Sequence, residues 1–389
     1  MKKRFLSAFL LAPLCAAVFF SCEEEKTIVP SEYENLPIPA RQESSFASGE
    51  PIGMYLLNEG NMGSNKSTID YADFVSGRYI RNFYTEKNPA VMLSLGDMGN
   101  DIQIYGSKLY AVVNGSHKVE VMNARSCVRI GQIEIPNGRY IRFANGKAYV
   151  SAYVGGTSSE AGEQLGTVYE IDTALLTVTR KVTVGYQPEE LEIAGNYLYV
   201  ANSGQNPYPD YEYTVSIVET DGMTQVKKLP VGINLHRLRQ DRYGRLWVTS
   251  RGNYYDVPSN LYVLTPGQNP LETTIDTLDI PCSEFAIKGD SLYFYSLEWK
   301  DGSNSISYGV IDINTKTKVC AEFISDGTQS EIQAPYGIAV NPYNGDIFIA
   351  DAKNYVSSGM LHCYSSNGTR KWSVRTGDIP GHMAFLCKE

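Results

Sequence analysis

The side chains that could carry out chemistry are few and scattered. Histidine stands at 117, 236, 362 and 382, without an HxxxH spacing or an Asp-rich loop beside it, so neither a zinc triad nor a calcium loop is expected. Beyond residue 22 the cysteines at 127, 282, 320, 363 and 387 are odd in number and lack a CxxC pair, which argues for small buried core residues over a disulfide framework or a metal. A catalytic nucleophile needs a base within reach, and there is no GxSxG and no Cys-His arrangement to supply one. Glu189 and Glu190 are paired carboxylates, but as neighbours on an extended chain they point to opposite sides. A single Gly-to-Trp run, "SSNGTRKW", is too little for a quinoprotein in a chain with three tryptophans. The expectation is a protein without catalytic residues, metal or cofactor. What the chain does hold is 28 tyrosines, several of them in loops beside Asn, Gly and Pro, as in "NSGQNPYPDYE". That is chemistry of recognition: large rigid faces with a polar tip.

The elements that must position these residues repeat. Short strands of one kind recur as "YLLN" at Tyr55, "YAVVN" at Tyr110, "YVSAY" at Tyr149, "YVANS" at Tyr199, "WVTSR" at Trp247, "YFYSL" at Tyr293 and "FIADA" at Phe348. The step between them is roughly 49 residues, and most are preceded by a tight turn containing Gly or Asn, such as "YGSK", "ANGK" and "AGNY". A third apolar strand and a fourth, more polar one follow each anchor. Four strands per repeat of this length predict an all-β, seven-bladed β-propeller. The first repeat lacks its inner strand, whereas "DIPGHMAFL" at the far end matches the lead-in to other anchors. The ring is therefore expected to close by pairing of the C-terminal strand with the N-terminal blade, over residues 51–389.

In a propeller the loops from second to third strand and the loops entering each inner strand open on one face. Here that face is elaborated and the opposite turns are minimal, and elaborated loops on a rigid scaffold are where binding resides. The candidate ligand-binding residues follow from this placement: Asn114, His117, Arg139, Tyr140, Tyr153, Glu189 and Asn202; Tyr208, Tyr211, His236, Arg251, Tyr254 and Tyr255; and Trp299, Tyr336, Tyr355 and His382. Strand tyrosines such as Tyr110 and Tyr199 are expected to pack between blades instead.

The first residues, "MKKRFLSAFLLAPLCAAVFFSC", have a basic start and an apolar run ending at Ser21-Cys22. This is a secretory signal, and it resembles a bacterial lipoprotein signal over residues 1–21, with Cys22 as the lipidated residue. Glu23, Glu24 and Glu25 resemble the surface-export signal of Bacteroidetes lipoproteins. Residues 22–50 read as a flexible tether. Loss of Lys2, Lys3 and Arg4 takes the formal net charge from −9 to −12, which disfavours binding to nucleic-acid phosphates.

"MYLLNEGNMGSNKSTIDYAD", the "LYVANSG" repeat and the lipoprotein start together resemble the YncE-like surface propellers of Bacteroidetes, and in particular the BtuG type that captures cobalamin (vitamin B12). The resemblance runs from about residue 52 to 389 and carries Asn58, Glu59 and Asn61 as motif positions. It implies cobalamin as a transported ligand, a TonB-dependent BtuB-type transporter as partner, and a place on the cell surface, lipid-anchored in the outer membrane. The alternative, from another class of ligand, is a glycan-binding lipoprotein of a polysaccharide uptake system, since aromatic platforms with amides and carboxylates suit sugars as well.

Overall fold

The computed structural model describes residues 31–91, 94–153, 165–204, 211–300 and 303–389 and, at residues 270, 299, 300, 303 and 304, the backbone alone. Seven antiparallel sheets form a seven-bladed propeller. Six blades have four strands in simple succession from the axis outward, spanning 99–134, 138–186, 188–230, 235–277, 284–320 and 335–378. The first is built differently. Its innermost strand is the C-terminal Pro380–Cys387, paired with Pro51–Asn58 from Pro51 opposite Cys387 to Asn58 opposite Pro380. The expected closure is present, and it ties the two ends of the ring into one sheet.

The repeated strand pattern forms blades because each sheet is apolar on both faces and packs against its two neighbours. One apolar cluster fills each junction between blades: Tyr55 and Leu57 meet Leu109 and Ala111 between blades 1 and 2, and Trp247 and Val263 meet Phe285 and Phe294 between blades 5 and 6. Tyr110 and Tyr199 are buried in such junctions. The turns on the minimal face need positive φ, supplied for example by Gly106 (+55°) and Gly195 (+61°). Three of the five cysteines, Cys127, Cys282 and Cys363, are buried, and all five are free thiols.

Part of the stretch read as a tether belongs to the fold. Glu32–Asn35 adds a fifth, outermost strand to blade 1, with Glu32 opposite Arg81 and Asn35 opposite Arg78. Arg81 forms an ion pair with Glu32, and Tyr33 Oη donates to Glu86 at 2.6 Å. Leu36 and Phe46 are then buried as the chain crosses the minimal face toward Pro51. The tether reading is thus corrected over 32–50, where two apolar anchors and an edge hydrogen-bonding partner outweigh a polar, proline-containing composition. Cys22 and the signal segment lie outside the described residues.

Candidate ligand-binding site

The starts of the inner strands and the ends of the second strands converge on the elaborated face, and there they enclose a cavity of about 620 Å³. Its inner wall is the channel mouth: Glu59, Asn100, Arg139, Tyr140, His236 and Arg237. Its outer wall comes from three blades, with Arg251 and residues 254–259 of blade 5, Tyr295 and Glu298 of blade 6, and Tyr336 and Tyr355 of blade 7. Six tyrosines face one space together with guanidinium, carboxylate, amide and imidazole groups. Apolar faces with a few placed polar groups are what small-molecule recognition requires.

Beneath the mouth the axis is filled by a lattice of opposite charges. The inner strands read "RYIR" in blade 3, "EELE" in blade 4, "HRLR" in blade 5 and "SEF" in blade 6, so successive blades alternate in sign. Arg139 pairs with Glu189 at 2.9 Å, and Arg251 reaches the same carboxylate at 3.2 Å. Arg142 joins Asp101 at 3.1 Å and also pairs with Glu190. Arg239 bridges Glu190 at 3.1 Å and Glu284 at 3.0 Å, and Arg237 closes on Glu284. Asp101, Glu189, Glu190, Arg237 and Glu284 are each buried, so the channel is shut at this level. Burial alone would raise the Glu189 carboxyl, but Arg139 and Arg251 hold it at about 2. Burial likewise opposes ionisation of Glu190, and Arg239 and Arg142 keep it below the usual range. Such a network contributes little net stability, yet removing one member leaves a buried charge unpaired.

A hydrogen-bond relay sits on top of the lattice. Arg237 Nη1 donates to Tyr140 Oη at 2.7 Å, and Tyr140 Oη lies 3.1 Å from His236 Nε2. A guanidinium only donates. Tyr140 Oη and His236 Nε2 share the second bond, the imidazole tautomer setting which of the two donates. Burial first, then Arg251, Arg237 and Arg139, hold His236 well below its ordinary value, which keeps it neutral. His382, 3.7 Å from Asp101 and edge-on to Tyr140, is held neutral in the same way, by burial and the arginines around it. Glu59 behaves in the opposite sense. Burial pushes its carboxyl up to about 7, against the pull of a 2.9 Å hydrogen bond from Tyr336 Oη and of Arg139 and Arg237.

The structure brings Glu59, Arg139, Tyr140, His236, Arg251, Tyr254, Tyr255, Tyr336 and Tyr355 to this cavity. Others of the expected set have different places. Asn58, Asn114 and Asn202 are buried at the ends of second strands. There their amides donate to Thr68 Oγ1, to the Gly138 carbonyl and to Thr214 and Ser216. They hold the chain where it leaves the sheet, outside the cavity lining. Glu189 and Tyr153 form a second layer behind Arg139, with Tyr153 Oη donating to Glu189 at 2.6 Å. Tyr211 is buried beside Tyr254 and Tyr255, and His382 lies in the channel. His117 is exposed on a tight turn, where its Nδ1 accepts from the Asn137 amide at 3.2 Å. Asn61 is half-buried in the blade 1 loop, away from the cavity lining. Tyr208 and the side chain of Trp299 lie outside the described residues. The residues not anticipated are Tyr295 and Glu298 of blade 6. Among the described residues no group of three or more His, Cys, Asp or Glu could hold a metal ion.

Fold and site define a seven-bladed β-propeller with a polar, tyrosine-walled pocket at one end of a closed channel. The chain belongs to the family described as a domain of unknown function, DUF5074, which it matches over residues 52–380. No curated protein matches it. Among solved structures it is similar to hydrazine synthase from Kuenenia stuttgartiensis, at 12% identity and a TM-score of 0.55 over 79% of this chain and 94% of that one. It is also similar to apo AztD from Citrobacter koseri, at 10% identity and a TM-score of 0.50 over 86% and 98%. The Cps50 (Swd1) propeller domain of Myceliophteria thermophila aligns at 10% identity with a TM-score of 0.52 over 83% and 96%. Likeness at these identities is likeness of fold alone.

Proposed function

We propose that this protein is a non-enzymatic capture protein. In this reading it is lipid-anchored through Cys22 at the cell surface, holds cobalamin on its elaborated face and passes it to a TonB-dependent BtuB-type transporter in the outer membrane. The observation that carries the capture role is the pocket itself: about 620 Å³, within the range of small-molecule sites, on the face where the loops are longest. A corrinoid is larger than a drug-sized ligand and would seat one part of its ring in the pocket while the remainder lies against the surrounding loops. Its peripheral amides would find donors in Arg139 and Arg251, a hydrogen-bonding ring nitrogen in His236, and acceptors in Glu59, Glu284 and Glu298. With His236 Nε2 engaged by Tyr140, that nitrogen offers no lone pair to cobalt, so recognition would rest on the periphery of the ligand. Rigid ligand and rigid scaffold lose little entropy on meeting.

The test is isothermal titration of residues 23–389 with cyanocobalamin. One-to-one binding that weakens in Arg251→Ala and Tyr336→Ala supports the reading, whereas absence of binding by the folded protein removes cobalamin. A second reading, capture of a glycan, is favoured by the exposure of Tyr254 and Tyr255, 64% and 76%, at the rim. Binding to oligosaccharides in the same titration, without binding to the corrinoid, would select it.

A further inference from the structure

Two loops that border the pocket share one irregular backbone. In "RGNYYDV" of blade 5, Gly252 and Tyr254 have φ of +64° and +63°. In "AKNYVSS" of blade 7, Lys353 and Tyr355 have +52° and +60°. A left-handed conformation is a genuine outlier for a residue as bulky as tyrosine. The same residue type takes it at the same place in both loops, immediately after an asparagine. Each asparagine braces its loop. Asn253 Oδ1 accepts the amides of Tyr255, Asp256 and Val257 at 3.0, 3.1 and 2.9 Å. Asn354 Oδ1 accepts the amides of Val356 and Ser357 at 3.0 and 2.9 Å, and the Ser357 hydroxyl at 2.9 Å.

Packing does not account for the strain at Tyr254, which is 64% exposed, so little burial offsets a conformation that Gly or Asn would adopt more easily; Tyr355 is less exposed, at 36%. Both rings line the pocket, one from each side of blade 6, and Tyr355 is set edge-on to Tyr336 at 5.7 Å. Backbone strain that persists at a pocket without a packing return points to function.

We propose that Asn253 and Asn354 are positioning residues that hold Tyr254 and Tyr355 as two preformed stacking faces, one on each side of blade 6, for a ligand with a flat, carbon-rich ring face. The inference deepens the capture reading and rests on this face being the ligand site, but not on the ligand being cobalamin. A preformed aromatic face loses little freedom on contact, so the braces act on affinity through preorganisation.

The experiment compares wild type, Tyr254→Asn, Asn354→Ala and Asn354→Asp, all as residues 23–389, with two probes: cyanocobalamin and the planar dye 8-anilinonaphthalene-1-sulfonate. Tyr254→Asn relieves the strain and is expected to melt no lower than wild type while binding about tenfold more weakly. A purely structural tyrosine would lower both. Asn354→Ala is expected to weaken binding, and Asn354→Asp, which keeps the accepting oxygen, to restore it. If wild type binds the dye but not cyanocobalamin, and the variants follow the same order, the cobalamin reading fails and this inference stands. It is overturned if Tyr254→Asn and Asn354→Ala bind as wild type does, or if wild type binds neither probe.

Discussion

Glu59 gives the sharpest test of the pocket's electrostatics. Its carboxyl is pushed up to about 7 chiefly by burial, while an unfolded chain releases the same proton near the ordinary value of 4.5. Between these values the folded state holds a proton that the unfolded state has lost, so wild-type stability falls as the pH rises from about 4.5 to about 7. Above that the cost of an ionised, half-buried Glu59 is present. The shift corresponds to about 3 kcal/mol, and water at the pocket edge reduces it to about 2 kcal/mol. Glu59→Gln mimics the protonated form, and its amide oxygen can still accept from Tyr336 Oη. The variant should therefore match wild type at pH 4.5 and exceed it by about 2 kcal/mol at pH 8. Urea unfolding at a series of pH values, with an unchanged dependence on denaturant, reads this directly. A variant less stable than wild type at pH 8, or a difference that does not change with pH, would refute the reasoning. Retaining a carboxyl at that cost is expected where it serves binding.

Three further outcomes follow from the geometry. Glu189→Gln leaves Arg139 and Arg251 facing a neutral group and should cost about 3–5 kcal/mol in equilibrium unfolding; because this carboxyl is held at about 2, its contribution is present above about 4.5 and lost only as the pH falls through 2, so the penalty should persist at pH 5. Tyr140→Phe removes the link between Arg237 and His236; it should cost about 1–3 kcal/mol and shift the His236 imidazole nitrogens in a 15N spectrum, whereas an unchanged spectrum would contradict the relay. Gly337→Ala would set a methyl carbon 1.8 Å from the Gly381 carbonyl oxygen, forcing apart the inner strands of blades 7 and 1; a loss of several kcal/mol in unfolding is expected, and an unchanged midpoint would deny that this close approach is needed.

The propeller was legible because its physics is periodic. A Gly-containing turn before each anchor strand, and strands such as Tyr110 and Tyr199 that are apolar on both faces, mark blades one at a time. The displaced strand "PGHMAFL" was recognisable because the same lead-in occurs elsewhere in the chain. The mouth of the channel was partly legible for the same reason: Arg139, Glu189, His236 and Tyr336 occupy one position at the start of the inner strands of blades 3, 4, 5 and 7, and Tyr140 the next. What sequence could not separate was an amide serving a ligand from an amide serving its own backbone. Asn58, Asn114 and Asn202 sit at the same loop openings as true wall residues, and only their partners distinguish them. Blade 6 was undervalued because Tyr295 and Glu298 lie on a strand that continues beyond its neighbours, to Lys300, so that positions expected to pack in a sheet rise beside the pocket. The strand Glu32–Asn35 was missed because its four residues are all exposed and carry no apolar alternation.

That strand also has a direction. It runs antiparallel to Arg78–Arg81 with Glu32 at the Arg81 end, which is the end nearest the pocket-bearing face, so the described chain begins at the rim of that face. From Cys22 to Glu32 the chain has ten peptide steps, a reach of at most about 35 Å, against about 100 Å had it hung free as far as Pro51. Under the proposed lipid anchor at Cys22, docking four residues along an edge would shorten the leash threefold and choose the side from which it pulls. A lipid at Cys22 would then turn the pocket toward the bilayer, because facing away would use most of the leash merely to pass the height of the blade.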